Sequence, residues 1–325
     1  MVLWLAVTMA LLCLHPHQAW GQQYNFRQFG SQEGLTSLTV FCLAQDKVGF
    51  LWVGTANGVF RYDGARFEHF DAKDGLPNEI VETLHVDAEG TLWAGTRAGL
   101  ARFERRRFVK AELDWAYQMY GPDTVASSQA GQIFFATDRG LAVGQRDGAG
   151  AWKFRRYNPG MPQAVKPATA THVDESGGLW FGCGRSICLV NGNRLRTFGE
   201  EQGVATKLWG TIAAGADGRI WARNQDQLVY FRKGKLESED AFVAVKAAAS
   251  TVMSPGSFSF DHRCAVLLAT QKGLAILQPG KDGGWDAAYV TEKEGLASDI
   301  VSCVIEDREG SVWMALRGNG LVRWN

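Results

Sequence analysis

A repeat of about 41 residues runs through this chain, and few folds accommodate one. Asp46-Lys47-Val48-Gly49-Phe50-Leu51-Trp52-Val53-Gly54-Thr55 is followed 41 residues later by Asp87-Ala88-Glu89-Gly90-Thr91-Leu92-Trp93-Ala94-Gly95-Thr96. Gly34-Leu35 and Gly75-Leu76 precede the two copies, and Gly58-Val59-Phe60-Arg61-Tyr62 and Gly99-Leu100-Ala101-Arg102-Phe103 continue them. Five degraded copies follow. The Trp52 position recurs as Trp93, Phe134, Trp180, Trp221, Leu267 and Trp313, at spacings of 41, 41, 46, 41, 46 and 46 residues, which makes seven copies.

Each copy reads as four short strands. The first is apolar (Leu38 to Leu43, Ile80 to Val86, Ile300 to Ile305) and ends in an Asp-x-x-Gly-type turn, where Asp caps its own turn and Gly takes positive φ. The second carries the Trp. A Gly-Thr-x-x-Gly turn leads to an alternating third strand, and Asp63-Gly64, a hairpin signal, leads to a fourth ending in Phe70. Units of about 40–45 residues with four antiparallel strands are propeller blades. The sequence therefore predicts an all-β, seven-bladed β-propeller, with many of its glycines in turns and the recurring Trp and Phe residues packed between blades. The seventh copy stops at Asn325 after its third strand, whereas Tyr24 to Phe29 is a strand with no partner in its own copy. Residues 24–29 are expected to complete the last blade, removing an open edge and making the propeller a finished domain.

Residues 1–21 read as a signal peptide, with an apolar run from Val2 to Leu14 and small residues at Ala19 and Gly21 before a cut at Gln22. That run is shorter than the ~20 residues that span a bilayer, and no later segment approaches such a length. Residues 22–325 are thus expected to form the propeller, periplasmic or secreted, with no membrane span after cleavage. The 34 basic residues are balanced by 34 acidic ones, which argues against a whole-surface nucleic-acid binder.

Asp74-Gly75-Leu76-Pro77-Asn78, the two Asp-x-x-Gly-x-Leu-Trp-x-Gly-Thr stretches at 46–55 and 87–96, and Gly99-Leu100-Ala101-Arg102-Phe103 resemble the two-component regulator propeller repeat. The likeness is motif-specific in copies 1, 2 and 7 and only topological in copies 3, 5 and 6. It implies a periplasmic sensory propeller of the kind carried by histidine kinases and diguanylate cyclases. In that family a small immunoglobulin-like domain, a membrane helix and a cytoplasmic output domain commonly follow. The sequence given carries no such output motif, so the expectation is a stand-alone binding propeller or the sensor of a split or truncated receptor, working with a membrane kinase or cyclase partner.

In a four-strand meander, the connections between blades and the turns between second and third strands emerge on one face. Those turns carry Asn57 in the first copy and Arg97, Arg139, Arg185, Arg223, Lys272 and Arg317 in the others. With 34 basic residues in 325, the 21 positions of seven three-residue turns would hold about two by chance. Guanidinium groups grip carboxylates and phosphates in a bidentate fork. The expected ligand is therefore anionic, a glycan or a peptide, with Asp138 and Asp226 offsetting part of the charge.

No nucleophile elbow, phosphate loop or paired-carboxylate motif is present, so neither an enzyme nor a cofactor is expected. His85 and His172 stand eight residues before Trp93 and Trp180 and read as exposed strand-end histidines beside Asp87 and Asp174 rather than as a metal pair. Cys183 and Cys188 straddle a hairpin turn and are candidates for a disulfide; zinc would need a second ligand pair. Cys42 and Cys303, at matching repeat positions, read as small residues packed near the axis. A protein-interaction scaffold of the cell envelope and a propeller lyase or glycosidase are the alternative readings.

Overall fold

The computed structural model describes residues 25–158, 167–246 and 257–325. The leader expected at 1–21 and the first residue of the expected closing strand, Tyr24, lie outside these residues. The chain forms seven four-stranded antiparallel sheets, each in simple meander order except the last. Blade 1 consists of Val40–Gln45, Leu51–Thr55, Gly58–Tyr62 and Phe67–Phe70; blade 2 of Val81–Val86, Leu92–Thr96, Gly99–Glu104 and Arg107–Lys110. Blade 3 contains Val125–Ser127, Ile133–Thr137, Gly140–Arg146 and Trp152–Arg156; blade 4 contains Ala168–Val173, Leu179–Cys183, Ser186–Asn191 and Arg194–Phe198. Blade 5 runs through Thr211–Ala214, Ile220–Arg223, Leu228–Arg232 and Ala241–Ala244; blade 6 through Phe258–Phe260, Val266–Thr270, Gly273–Pro279 and Trp285–Val290. Blade 7 takes Val301–Glu306, Val312–Leu316 and Gly320–Trp324 from the C-terminus and Phe26–Phe29 from the N-terminus.

That last pairing closes the ring as the repeat predicts. Phe26 lies opposite Trp324 and Phe29 opposite Leu321. Phe29 is 1% exposed and its ring centroid lies 5.2 Å from those of both Trp313 in blade 7 and Tyr62 in blade 1. The closing strand thus supplies core to two blades as well as hydrogen bonds to one.

The core lies between blades, built by one repeat position. Trp52, Trp93, Phe134, Trp180, Trp221, Leu267 and Trp313 are all buried at the second residue of the second strand. Several reach an aromatic ring of the next blade: Trp52 to Phe103 at 4.9 Å, Trp93 to Trp152 at 4.9 Å, Trp180 to Phe231 at 5.0 Å and Trp221 to Trp285 at 5.0 Å. Such tilted and edge-on contacts add about 0.5–1.5 kcal/mol beyond area burial. The turn aspartate holds the Trp in place. Asp46 Oδ1 accepts from the backbone N–H of Val48, Gly49 and Phe50, while Oδ2 accepts from Trp52 Nε1 at 2.7 Å. Asp87, Asp174 and Asp307 bind Trp93, Trp180 and Trp313 in the same way at 2.7–2.8 Å.

Candidate ligand face

The turns between second and third strands are fixed by side chains, which is why the residues at their tips point outward. Thr55 donates its hydroxyl to Gly58 O at 2.9 Å, and Thr96, Thr137 and Thr270 do the same to Gly99, Gly140 and Gly273 at 2.7 Å. Gly58 has φ 85°, and a Cβ there would lie 2.3 Å from Phe70 O, so the turn demands glycine. Two other blades reach the same shape differently. Cys183 occupies the Thr position in blade 4 and is joined to Cys188 by a disulfide with Cα atoms 5.8 Å apart. Asn224 occupies it in blade 5, where its Oδ1 accepts from Asp226 N at 2.8 Å and Gln227 N at 2.7 Å.

On this frame Asn57, Arg97, Arg139, Arg185, Lys272 and Arg317 are all exposed at the turns of one face. Arg97 is steered by Glu82, whose Oε1 lies 2.8 Å from Arg97 Nε. Arg139 is 3.9 Å from Asp138. Among the described residues Arg185 and Arg317 make no ion pair. Asp226 pairs with Lys207 at 3.3 Å instead of with a turn arginine.

Arg223 does not belong to the set. It is 2% exposed and is the last residue of its strand, at the position where the other blades carry Gly54, Gly95, Ala136, Gly182, Ala269 and Ala315. Its guanidinium crosses to blade 6, donating to Ser257 O at 3.0 Å and Ala269 O at 2.7 Å. Burial lowers the Arg223 pKa to about 9. The residue ties two blades together and presents nothing to a ligand.

The histidine expectation is likewise corrected. His85 is partly buried, with Nε2 2.9 Å from Ser127 Oγ of blade 3, and burial brings its pKa down to about 4. His172 is also lowered, chiefly by burial. His85 is therefore neutral at ordinary pH and sits between the first strands of blades 2 and 3. Cys42 and Cys303 are buried, at 3% and 1% exposure, and burial raises both thiols well above the ordinary value.

One residue stands out that the sequence reading did not single out. Asp123, at the entrance to blade 3, accepts a hydrogen bond from the Thr211 side chain of blade 5, while its main-chain oxygen accepts from Thr171 N of blade 4 at 2.6 Å. It therefore links three blades. Burial pushes its carboxyl up to about 7 against the hydrogen bond from Thr211. Its repeat position, 11 residues before Phe134, matches that of Glu82 before Trp93; two acidic residues at one repeat position were the available signal.

The structure brings two of the candidate cations into one concavity. A cavity of about 450 Å³ between blades 2 and 3 is lined by Arg97, Arg139 and Lys110, with Glu112, Trp115 and Tyr117 among its other walls. That volume lies within the range of small-molecule sites. The remaining turn cations are spread round the face.

Residues 34–57 match the family model for the two component regulator propeller, within the first repeat. The fold also recurs in solved structures. The extracellular domain of BT3049 from B. thetaiotaomicron, described as a hybrid two component system, superposes with a TM-score of 0.73 at 18% identity, over 93% of this chain and 42% of that one. The extracellular domain of BT4673 from the same organism, described as a one component system, gives 0.71 at 16% identity, over 93% and 40%. Virginiamycin B lyase from Staphylococcus aureus gives 0.70 at 12% identity, over 93% and 99%. The chain thus spans about two fifths of the two extracellular domains and nearly all of the lyase. No curated protein sequence matches it. Among the described residues no helix is long and apolar enough to cross a membrane.

Proposed function

We propose that this chain is an extracytoplasmic ligand-binding propeller with a sensory role, taking an anionic ligand on the face formed by its second-to-third-strand turns. The observation that carries the reading is the exposure of Arg97, Arg139, Arg185, Lys272 and Arg317 on that one face of a chain with no net charge. Spread guanidinium groups lower the cost of bringing carboxylates or phosphates to the surface and orient them. A leader-like N-terminus, the family match at residues 34–57 and the likeness to two extracellular sensor-system domains support the location and the sensory role. A membrane kinase or cyclase that reads the occupied propeller is part of the proposal. Binding, and not turnover, is the activity assigned.

A thermal-shift titration with oligogalacturonate, and with an uncharged galacto-oligosaccharide of equal length, tests it. A ligand at 100 times its Kd stabilises by about 2.7 kcal/mol. The acidic oligomer is expected to raise the melting temperature, the neutral one to leave it unchanged, and Arg185→Ala with Arg317→Ala to shrink the shift. Equal shifts from both oligomers, or a shift that the double variant leaves intact, would contradict the reading.

A further inference from the structure

Each blade passes from its first strand to its second through a four-residue turn, and six of the seven end that turn on glycine. Gly49, Gly90, Gly131, Gly177, Gly218 and Gly310 hold φ between 73° and 109° there, a conformation that a Cβ disfavours. Blade 6 has Cys264 at this position, with φ 65°. A side chain kept where the backbone asks for glycine is strained, and such strain gathers at functional positions. Cys264 is also the one exposed free thiol among the described residues: Cys42 and Cys303 are buried, and Cys183 is bonded to Cys188. That bond indicates an oxidising compartment, where an exposed thiol exchanges with disulfides.

Cys264 lines a cavity of about 380 Å³ between blades 5 and 6, on the face opposite the turn cations. The repeat explains why the cavity is there. In blade 5, Gly215 stands where blades 1, 2, 4 and 7 have Asp46, Asp87, Asp174 and Asp307. Asp217 holds the turn instead, accepting from Arg219 N at 3.0 Å, and the place of the missing carboxyl stays open. Trp221 is 2% exposed. The indole N–H that the other four blades give to aspartate has no acceptor in Trp221 among the described residues. A Cβ on Gly215 would lie 3.3 Å from Trp221 Nε1, so this buried donor faces the cavity that both residues line. Tyr230, Phe260 and Trp285, each half-buried, make the rest of the wall largely aromatic. Its charged residues, Asp217 and Arg219, are 3.5 Å apart and paired with each other.

We propose that Cys264 is a thiol-exchange site that takes up a small thiol as a mixed disulfide and seats the body of that thiol in the cavity. The exchange balances with no further oxidant. The Cys264 thiolate attacks one sulfur of a disulfide RS–SR, the S–S bond breaks as the bond from Cys264 to SR forms, and the departing thiolate takes up the proton that Cys264 released. The lining sets the chemistry of R. Four aromatic rings call for an apolar or aromatic body, and the Trp221 N–H calls for a carbonyl oxygen on it. Asp217 and Arg219 satisfy each other, so R is uncharged. A few polar groups in a mostly apolar hollow is the usual form of a small-molecule site. The site makes no use of the turn-face ligand and stands or falls apart from it.

The probes are the symmetric disulfide of N-benzoylcysteamine, which carries a phenyl ring and a carbonyl, and hydroxyethyl disulfide, which carries neither. Intact-protein mass spectrometry follows adduct formation. Each rate is divided by that of the free peptide His262-Arg263-Cys264-Ala265, which removes the reactivity of the probe itself. The ratio for the benzoyl probe is expected to exceed that for hydroxyethyl disulfide by about tenfold or more, with the adduct on Cys264. N-benzoylethanolamine, the same body with a hydroxyl for the thiol, should slow the reaction of the unaltered protein, a result that needs no variant to fold. Trp221→Phe keeps a ring but loses the N–H, and should lower the ratio by about threefold or more. Arg185→Ala with Arg317→Ala should leave it unchanged. Equal ratios for the two probes, an adduct on Cys42 or Cys303, no slowing by N-benzoylethanolamine, an unchanged ratio in Trp221→Phe, or a Cys264-linked pair of chains as the main product would each overturn the proposal.

Discussion

Asp46, Asp87, Asp174 and Asp307 each do two things, closing a tight turn with one carboxylate oxygen and orienting a buried indole with the other. The division can be measured, because blade 6 keeps the first role without the second: Asp261 holds its turn through Arg263 N and Ala265 N, but Leu267 stands where the Trp would. Asp87→Ala is expected to cost about 1–3 kcal/mol more than Asp261→Ala in denaturant unfolding, the price of an unmet indole N–H. Equal losses would assign all the stability to the turn. Asp123 makes a prediction of opposite kind. Its carboxyl ionises near 3.8 in an unfolded chain and near 7 in the folded one, so the folded state holds the proton more tightly. The stability it supports is complete below about 3.8 and is lost as pH rises towards 7. Asp123→Asn should therefore flatten the decline in melting temperature between pH 4 and 7 and exceed the unaltered protein at pH 8; a variant less stable at pH 8 would refute this. Arg223 shows how the sequence misleads at this scale. Counted by distance from a turn it joined the exposed cations, but counted from Trp221 it falls at the position of six small residues. That position faces the neighbouring blade, and a long side chain there is buried. Arg223→Ala, which leaves the carbonyls of Ser257 and Ala269 unpaired, is expected to cost about 2–4 kcal/mol by the same denaturant measurement.

At the scale of elements, the closing strand Phe26–Phe29 is the most exposed to test. Phe29 packs on Trp313, Tyr62 and Phe67, so Phe29→Ala should cost about 3–5 kcal/mol and loosen both ends of the chain at once. Hydrogen exchange would show it as faster exchange along Gly320–Trp324; unchanged exchange there would mean that the ring is closed by other contacts. The strand was legible because it had no copy of its own to belong to and blade 7 lacked a fourth strand. The turns were legible too, since Gly-Thr-x-x-Gly encodes both a positive φ and the Thr hydroxyl bond that fixes it. The cavity between blades 2 and 3 was not: Glu112, Trp115 and Tyr117 line it from a connecting segment that carries no motif of the repeat. Asp123 was hidden for a related reason: its partner Thr211 lies two blades away, and no repeat period links them.

Across the whole molecule, the ring places its turn cations on one face by presenting the same loop once per blade in one direction, and the connections between blades bring acidic residues such as Asp74, Glu200, Glu292 and Glu294 to that face beside them. An anion bound there as proposed is expected to lose affinity with salt, since exposed charges more than about 10 Å apart are screened at 0.1 M. The most direct test is hydrogen exchange on the intact protein with and without saturating oligogalacturonate. The account predicts slowed exchange at the turns holding Arg97, Arg139, Arg185, Lys272 and Arg317, with no change at the Asp-x-x-Gly turns on the opposite face. Protection confined to that opposite face, or none at any turn, would contradict it.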